Sequence, residues 1–262
     1  MQKPVEFVEE ESVEEELAMF NDSPVKSNQN PVSDNFEAEL ARGADALGVA
    51  LDDMALAHCA RFAVLLEEGN KHLNLTRVRS EDVITLHFLD SLALAAIHRP
   101  AAGARLLDVG TGAGFPGVPL ALAYPTLDVT LMDSTRKKLA FLDAALAEVN
   151  VTNAHTLHAR AEELAYDPRQ REHYDVVAAR AVAPLATLAG WLLPFTRLGG
   201  IAIAYKSRDA QPEIDQADQA IANLGGTIEQ VAEVTLPGTD IVRKLVVMRK
   251  IRSIPLKRHR IS

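Results

Sequence analysis

Residues 106–120, LLDVGTGAGFPGVPL, restrict what this chain can become more than any other stretch. Leu106, Leu107 and Val109 form an apolar run broken only by Asp108, the mark of a parallel strand buried on both faces. Gly110, Gly112, Gly114 and Gly117 follow, with Pro116 and Pro119 among them. Glycine permits positive φ and lets a ligand approach bare backbone. Proline suits the first turn of a helix, where its missing N–H costs nothing. The stretch therefore reads as strand, glycine loop, helix start, and such a helix start offers free N–H groups to an anionic ligand group.

A glycine fingerprint by itself also occurs at plain tight turns; its neighbours give it meaning here. Asp108 places a carboxylate in an apolar strand end, which is costly unless it binds something. A second apolar run, 129–132, ends in Asp133. An acid closing the second strand, about 20 residues after the loop, suits the hydroxyls of a ribose. Both acids fall at the carboxyl ends of adjacent strands, where open α/β sheets bind ligands. Together they indicate a nucleoside cofactor without saying which.

Strands and helices alternate from Arg105 onward, as in a parallel sheet. Strands are expected at 105–109, 128–132, 153–157, 174–179 and 199–205. Helices are expected at 116–124, 134–149, 161–165, 184–196 and 210–224. In the second helix Leu139, Leu142, Leu146 and Val149 make one apolar stripe. The end differs: 227–236 and 241–248 read as two strands joined at Pro237-Gly238, an antiparallel hairpin. A dinucleotide-dependent oxidoreductase would instead continue into a second βαβ half. Before the sheet, Leu51, Met54, His58, Phe62 and Leu65 recur at helical spacing, with a stop expected at Gly69-Asn70. Ser80 is placed to cap a further helix, with Glu81 and Asp82 in its first turn. That helix would carry Val83, Leu86, Leu94 and Ile97 on one side, and His87, Asp90 and Ser91 on a shared face.

Charge divides the chain of 262 residues. Residues 1–40 hold 11 acidic and 2 basic side chains, which accounts for the whole net charge of -9. The remainder is neutral, with 25 of each sign, so the acidic balance does not exclude a nucleic-acid partner. Four regions are expected: an acidic disordered tail at 1–34, a helical cap at 35–100, a cofactor-binding domain at 101–250 and a basic tail at 251–262. Cys59 is the only cysteine, so no intrachain disulfide forms, in keeping with a reducing compartment. The start lacks a signal-peptide pattern, and the longest uncharged apolar stretch, 181–196, is short for a membrane span and contains Pro184 and Pro194. A soluble, cytoplasmic protein with no membrane contact is expected. His155, His158 and His173 show no ligand spacing with Cys59 or one another, so no metal is expected.

Further stretches, in order, carry a resemblance: Asn74-Leu75-Thr76, His87-Phe88-Leu89-Asp90-Ser91, the loop from Asp108 to Gly117, Leu131-Met132-Asp133-Ser134, Arg160-Ala161-Glu162-Glu163, Ala179-Arg180-Ala181, Tyr205-Lys206 and Arg243-Lys244-Leu245-Val246-Val247. Over about 40–250 the chain resembles the RsmG family (glucose-inhibited division protein B), the bacterial 16S ribosomal RNA guanine-N7 methyltransferases. It departs from the usual family pattern at Ser207, where a glycine normally follows the lysine, and in its C-terminal ending. The resemblance implies a Rossmann-like class I methyltransferase fold: a seven-stranded, mostly parallel α/β sheet ending in an antiparallel hairpin, with an N-terminal helical cap. It implies S-adenosylmethionine as cofactor and 16S ribosomal RNA, in the small ribosomal subunit or an assembly precursor, as partner. It places Gly110, Gly112 and Phe115 along the methionine part, Asp133 on the ribose, Ala161 and Glu162 beside the adenine, and Arg180 where cofactor and target meet. Asn74, His87, Arg160, Lys206 and Arg243 match positions expected near the RNA or its guanine.

Guanine N7 already carries a free lone pair, so transfer to it needs alignment rather than a base. Asn74 and Arg180 are the candidates for holding the guanine, with a donor to O6. Arginine's bidentate grip on O6 and N7 is excluded, since N7 must stay free; O6, a phosphate or the cofactor carboxylate remain as its targets. Plainer readings stand beside these. Asn74 suits a simple turn, His87 with Asp90 suits an internal hydrogen bond, and Lys206 and Arg243 suit surface charges. A monomer is expected. The rival classes are the dinucleotide oxidoreductase and a non-catalytic RNA-binding or assembly factor; intact Asp108, Gly110, Gly112 and Asp133 argue against the second.

Overall fold

The structure, a computed structural model, describes residues 35–180 and 183–255. The expected acidic tail at 1–34 and residues 256–262 of the expected basic tail at 251–262 lie outside the described residues, as do positions 181 and 182.

Seven strands make one sheet: β1 (Arg105–Val109), β2 (Asp128–Asp133), β3 (Ala154–His158), β4 (Tyr174–Ala179), β5 (Thr196–Ser207), β6 (Gly226–Thr235) and β7 (Val242–Lys250). Their order is β3-β2-β1-β4-β5-β7-β6. The first five run parallel, and β7 enters antiparallel between β5 and β6. Strand order reverses beside β1, whose neighbours are β2 and β4. That reversal opens a crevice at the carboxyl edge, where such sheets take ligands.

The central strands are mostly apolar because both faces are covered. Leu106, Leu131, Val176 and Ile203 pack on one face; Leu107, Met132, Val177 and Ala202 pack on the other. The second face is covered by a helix at Leu185–Leu192 and another at Gln211–Asn223, through Leu188, Leu192, Ala217 and Ile221. The first face takes the helices Gly117–Ala123 and Arg136–Glu148. The expected stripe Leu139, Leu142, Leu146 and Val149 is buried there. The N-terminal helices α1 (Phe36–Ala46) and α2 (Asp53–Leu73) join the same core. Phe88 receives Phe36 edge-on at 5.4 Å, and Phe62 meets Phe115 of the glycine loop at 5.8 Å. The cap thus has no separate core on this face; it is built onto the sheet.

The cap departs from its expected pattern in three places. The buried side of α2 is Leu56, Cys59, Phe62, Ala63 and Leu66, while Met54 is 64% exposed. Of the expected stripe, Phe62 and Leu65 are buried and Leu51 packs against the core, whereas Met54 is exposed and His58 only half-buried. Gly69 does not stop the helix, which runs on to Leu73 and ends at Asn74 with φ 48°. Gly69 is needed for close approach: a Cβ there would stand 2.8 Å from the Phe141 ring and 3.0 Å from Leu75. Gly69→Ala is expected to destabilise the protein by about 1 kcal/mol, overpacking of 1–3 kcal/mol outweighing the better helix propensity of alanine. Thermal unfolding would show this as a midpoint lowered by a few degrees, and an unchanged or raised midpoint would refute it.

Third, residues 80–96 are not one regular helix. A 3-10 turn (Ser80–Asp82), a π-helical turn (Ile84–Leu89), an α-turn (Asp90–Leu92) and a second 3-10 turn (Ala93–Ala96) follow each other. Ser80 is not the cap, and Glu81 and Asp82 pair with Arg79 instead. The π-turn shifts the register, so Phe88, Leu89 and Leu92 face the core while Val83 and Leu86 are half-buried. Such turns recur at functional sites, and this one delivers His87 and Asp90 to the sheet.

Candidate active site

The glycine loop leaves β1 by hanging on β2: the amides of Gly110 and Thr111 both donate to the Met132 carbonyl, at 2.8 and 2.9 Å. Gly110 and Gly112 take φ of +71° and +59°. A Cβ on Gly110 would meet nothing within 4 Å, and one on Gly112 only a carbonyl at 3.9 Å. Bare backbone here faces open space. Gly117 is the opposite case, packed against Leu131 and the Asp108 side chain.

Asp108 is fully buried. Its Oδ2 accepts from Thr111 Oγ1 at 2.7 Å and from the Gly117 amide at 2.8 Å. Its Oδ1 is buried without a hydrogen-bond partner. Burial pushes the carboxyl up to about 6, against the pull of those two hydrogen bonds and of Arg180. Asp133, at the end of β2, accepts from the Gly112 amide at 3.0 Å and the Thr135 amide at 2.8 Å. Each of its oxygens keeps a second acceptor site. Past β3, Arg160 is exposed at the start of a short helix, Ala161–Leu164, with Ala161 buried and Glu162 exposed. Asp108, Asp133 and the 160–162 turn thus stand in sequence along the carboxyl edge of β1, β2 and β3.

Across the crevice Arg180 follows β4. Its Nη1 donates to the Leu86 carbonyl at 2.6 Å and to Asp90 Oδ2 at 3.1 Å, and its Nη2 to His87 Nδ1 at 2.8 Å. Its guanidinium carbon lies 5.3 Å over the Phe115 ring, a cation–π distance. The His87 ring stacks on the other partner of this group, Phe115, at 4.2 Å and 7°. Phe115 is itself only 3% exposed, so its ring ties the glycine loop to the cap.

Two expected RNA-facing groups turn out to be interior. His87 is 5% exposed, and burial, aided by Arg180, holds its pKa down at about 3. Lys206 is 9% exposed and gives its ammonium to Glu213 at 2.7 Å and the Ala183 carbonyl at 2.9 Å. Both are consumed by partners the linear pattern does not reveal. Arg243, from β7, is partly buried and donates to Asp90 Oδ1 at 2.8 Å. Asn74 is exposed at the left-handed end of α2. His87 and Asp90 are not directly bonded as pictured; Arg180 lies between them. Asp90, Thr76 and Tyr205 had no assigned place in the site, although an acid within the apolar run 88–92 signals a buried charge that must be paired.

Among the described residues no group of three or more His, Cys, Asp or Glu is placed to hold a metal ion, and no helix is long and apolar enough to cross a membrane. The strand order, the terminal hairpin and the glycine loop define the Rossmann-like fold of the class I methyltransferases. The fold matches the YcgJ protein from Bacillus subtilis (TM-score 0.50, 12% identity, 64% of this chain and 100% of that one). It also matches a chain from the Haloferax volcanii complex between the Trm112 methyltransferase activator and a methyltransferase (TM-score 0.52, 11% identity, 67% and 94%). The family GidB, rRNA small subunit methyltransferase G, matches residues 55–242. "Ribosomal RNA small subunit methyltransferase G" of Thermoanaerobacter sp. (strain X514) is 39% identical over 83% of this chain and 91% of its own length. The protein of the same name from Roseiflexus castenholzii is 43% identical over 83% and 92%. The chain belongs to the GidB family.

Proposed function

We propose that this methyltransferase moves the methyl group of S-adenosylmethionine to N7 of a guanine in 16S ribosomal RNA of the small ribosomal subunit. One observation carries the cofactor: open glycine backbone begins two residues after a buried carboxylate with one oxygen that lacks a partner. An orphaned acceptor of this kind is costly, and an ammonium group satisfies it. Asp108 would take the amino group of the methionine part, Gly110 and Gly112 would flank that part, Asp133 would take the ribose hydroxyls, and Ala161 with Glu162 would border the adenine. When bound, the cofactor supplies an electrophilic methyl on a cationic sulfur.

The chain's own residues then have to align, not to deprotonate. N7 would form its bond to the methyl with its existing lone pair while the sulfur–methyl bond breaks, the bonding pair staying on a sulfur that leaves as a neutral thioether and the positive charge passing to the purine. Asn74 is exposed at the left-handed end of α2 and suits a donor to O6. Arg180, held by the Leu86 carbonyl, His87 and Asp90 just after β4, would lie where cofactor and target meet, and Arg160 with Arg243 would supply positive charge for phosphates. The guanine must leave its stack or lie in a loop to enter. Residues 35–100 serve as cap and 101–250 as the transfer unit, in the cytoplasm where its ribosomal substrate is made.

Asp108 makes cofactor binding pH-dependent. Its folded pKa is raised to about 6, so protonation favours the free folded protein, and its stabilising effect fades as pH rises through that value. A cationic ammonium requires the ionised form. Affinity for S-adenosylmethionine is therefore expected to rise with pH up to about 6–7 and to fall by as much as about tenfold per unit below. Calorimetric titration from pH 5 to 8 checks this; a flat profile would remove Asp108 from the site.

The functional test uses small subunits from a strain lacking this protein, incubated with the purified enzyme and labelled S-adenosylmethionine. Nucleoside mass spectrometry should show one labelled N7-methylguanosine. Label at another position, or in none, would overturn the assigned reaction.

A further inference from the structure

Side chains from two parts of the sheet converge on Asp90. It is 2% exposed, in a turn whose neighbours Phe88, Leu89 and Leu92 are core. Its two oxygens serve different strands: Oδ2 takes Arg180, after β4, at 3.1 Å, and Oδ1 takes Arg243, of β7, at 2.8 Å. The turn that carries it is fastened to β5 by the Tyr205 hydroxyl, which donates to the Ser91 carbonyl at 2.8 Å.

The polarity of the remaining bonds is forced. Arginine only donates, so His87 Nδ1 accepts from Arg180. The ring is neutral, so its proton sits on Nε2 and is donated to Thr76 Oγ1 at 2.8 Å. Thr76 Oγ1 also accepts the Val78 amide at 3.0 Å. One continuous chain therefore runs from Arg243 through Asp90, Arg180 and His87 to Thr76, two residues beyond Asn74. Apolar packing can replace a buried ion cluster without loss of stability, so stability alone does not call for a carboxylate here. What it does that apolar packing cannot is hold two guanidinium planes at set angles, each by a charge-assisted bond.

We propose that Asp90 is a positioning residue of the transfer reaction. It touches neither RNA nor cofactor. It acts chiefly by orienting Arg243 toward the target nucleotide, because Arg180 is also held by the Leu86 carbonyl and His87. This rests on the reading above that both arginines meet the RNA.

The test is Asp90→Asn, which keeps size and shape but turns one oxygen into a donor facing an arginine. Turnover on unmethylated small subunits should fall about 100-fold, the loss typical of a misplaced reacting group, chiefly in kcat. Calorimetric affinity for S-adenosylmethionine should stay within about threefold. In an Arg243→Gln background the same change should cost at most about threefold, because the group through which Asp90 acts is already gone. Should Asp90→Asn alone not fold, the Asp90→Asn/Arg243→Gln double variant, which removes a charge of each sign, is compared with Arg243→Gln. Equal activity supports the proposal, and a further 100-fold loss overturns it. A lowered melting midpoint with kcat and KM unchanged would make Asp90 purely structural and would also overturn it. If Arg180→Gln and Arg243→Gln themselves keep full turnover, the RNA-facing reading fails and the proposal falls with it. If those two variants are inactive while Asp90→Asn is active, only the proposal falls.

Discussion

Asp133→Ala is expected to abolish methyl transfer by removing cofactor affinity. The carboxylate stands at the end of β2 and spends one lone pair per oxygen on the Gly112 and Thr135 amides. The second pair on each oxygen is what two ribose hydroxyls would use. Hydrogen bonds to a charged group are worth about 1.5–3 kcal/mol each. Losing two sets a fall in affinity on the order of 100-fold or more. Stability should also drop, by about 1–3 kcal/mol, because two amides lose their acceptor. Calorimetry below the melting transition separates the two effects. Affinity within about threefold of the parent would show that Asp133 serves only the loop.

Gly110→Leu is expected to give a folded protein that binds no S-adenosylmethionine and shows no turnover. The substituted residue must hold φ near +71°, which costs an L-residue about 1–2 kcal/mol. Beyond that strain the protein offers no obstacle, since a Cβ there has no neighbour within 4 Å. The side chain would instead fill the space over the loop backbone. A melting midpoint lowered by only a few degrees, with cofactor affinity reduced beyond about 100-fold, is the expected pair of results. Normal affinity would place the cofactor elsewhere. Gly117→Ala is the contrasting control: its Cβ would run into Leu131 and Asp108, so stability should suffer first.

Much of this fold is legible in the linear chain because the physics behind it is local. Strands β1 and β4 lie at 105–109 and 174–179 as expected, since a strand buried on both faces must be a continuous apolar run bounded by turn residues. Pro237-Gly238 marks the hairpin for the same kind of reason: its geometry is decided within a few residues. Asp108, the loop glycines and Asp133 fall together at the carboxyl edge because each ends or follows a strand, and parallel strands end on one side.

The cap resisted that reasoning. Which side of α2 is buried depends on what it packs against, and Phe115 and Phe141 arrive from later in the chain. Gly69 looked like a helix end because its real partner, the Phe141 ring, is remote. The resemblance places His87 and Lys206 near the RNA, but matching a motif position says nothing about burial, and both are interior.

By itself, then, the sequence determined the strand–loop–strand unit, the parallel sheet with its terminal hairpin, and the two acids beside the glycines, all set by periodicity and by turn chemistry. Only the tertiary structure decided the electrostatics of the crevice. Asp90 meets Arg180 and Arg243 across separations of 90 and 153 residues, and Asp108 is buried with one oxygen that no protein group pairs. Such pairings follow from which buried charges share a low-dielectric volume, and that volume exists only once the chain has folded around it.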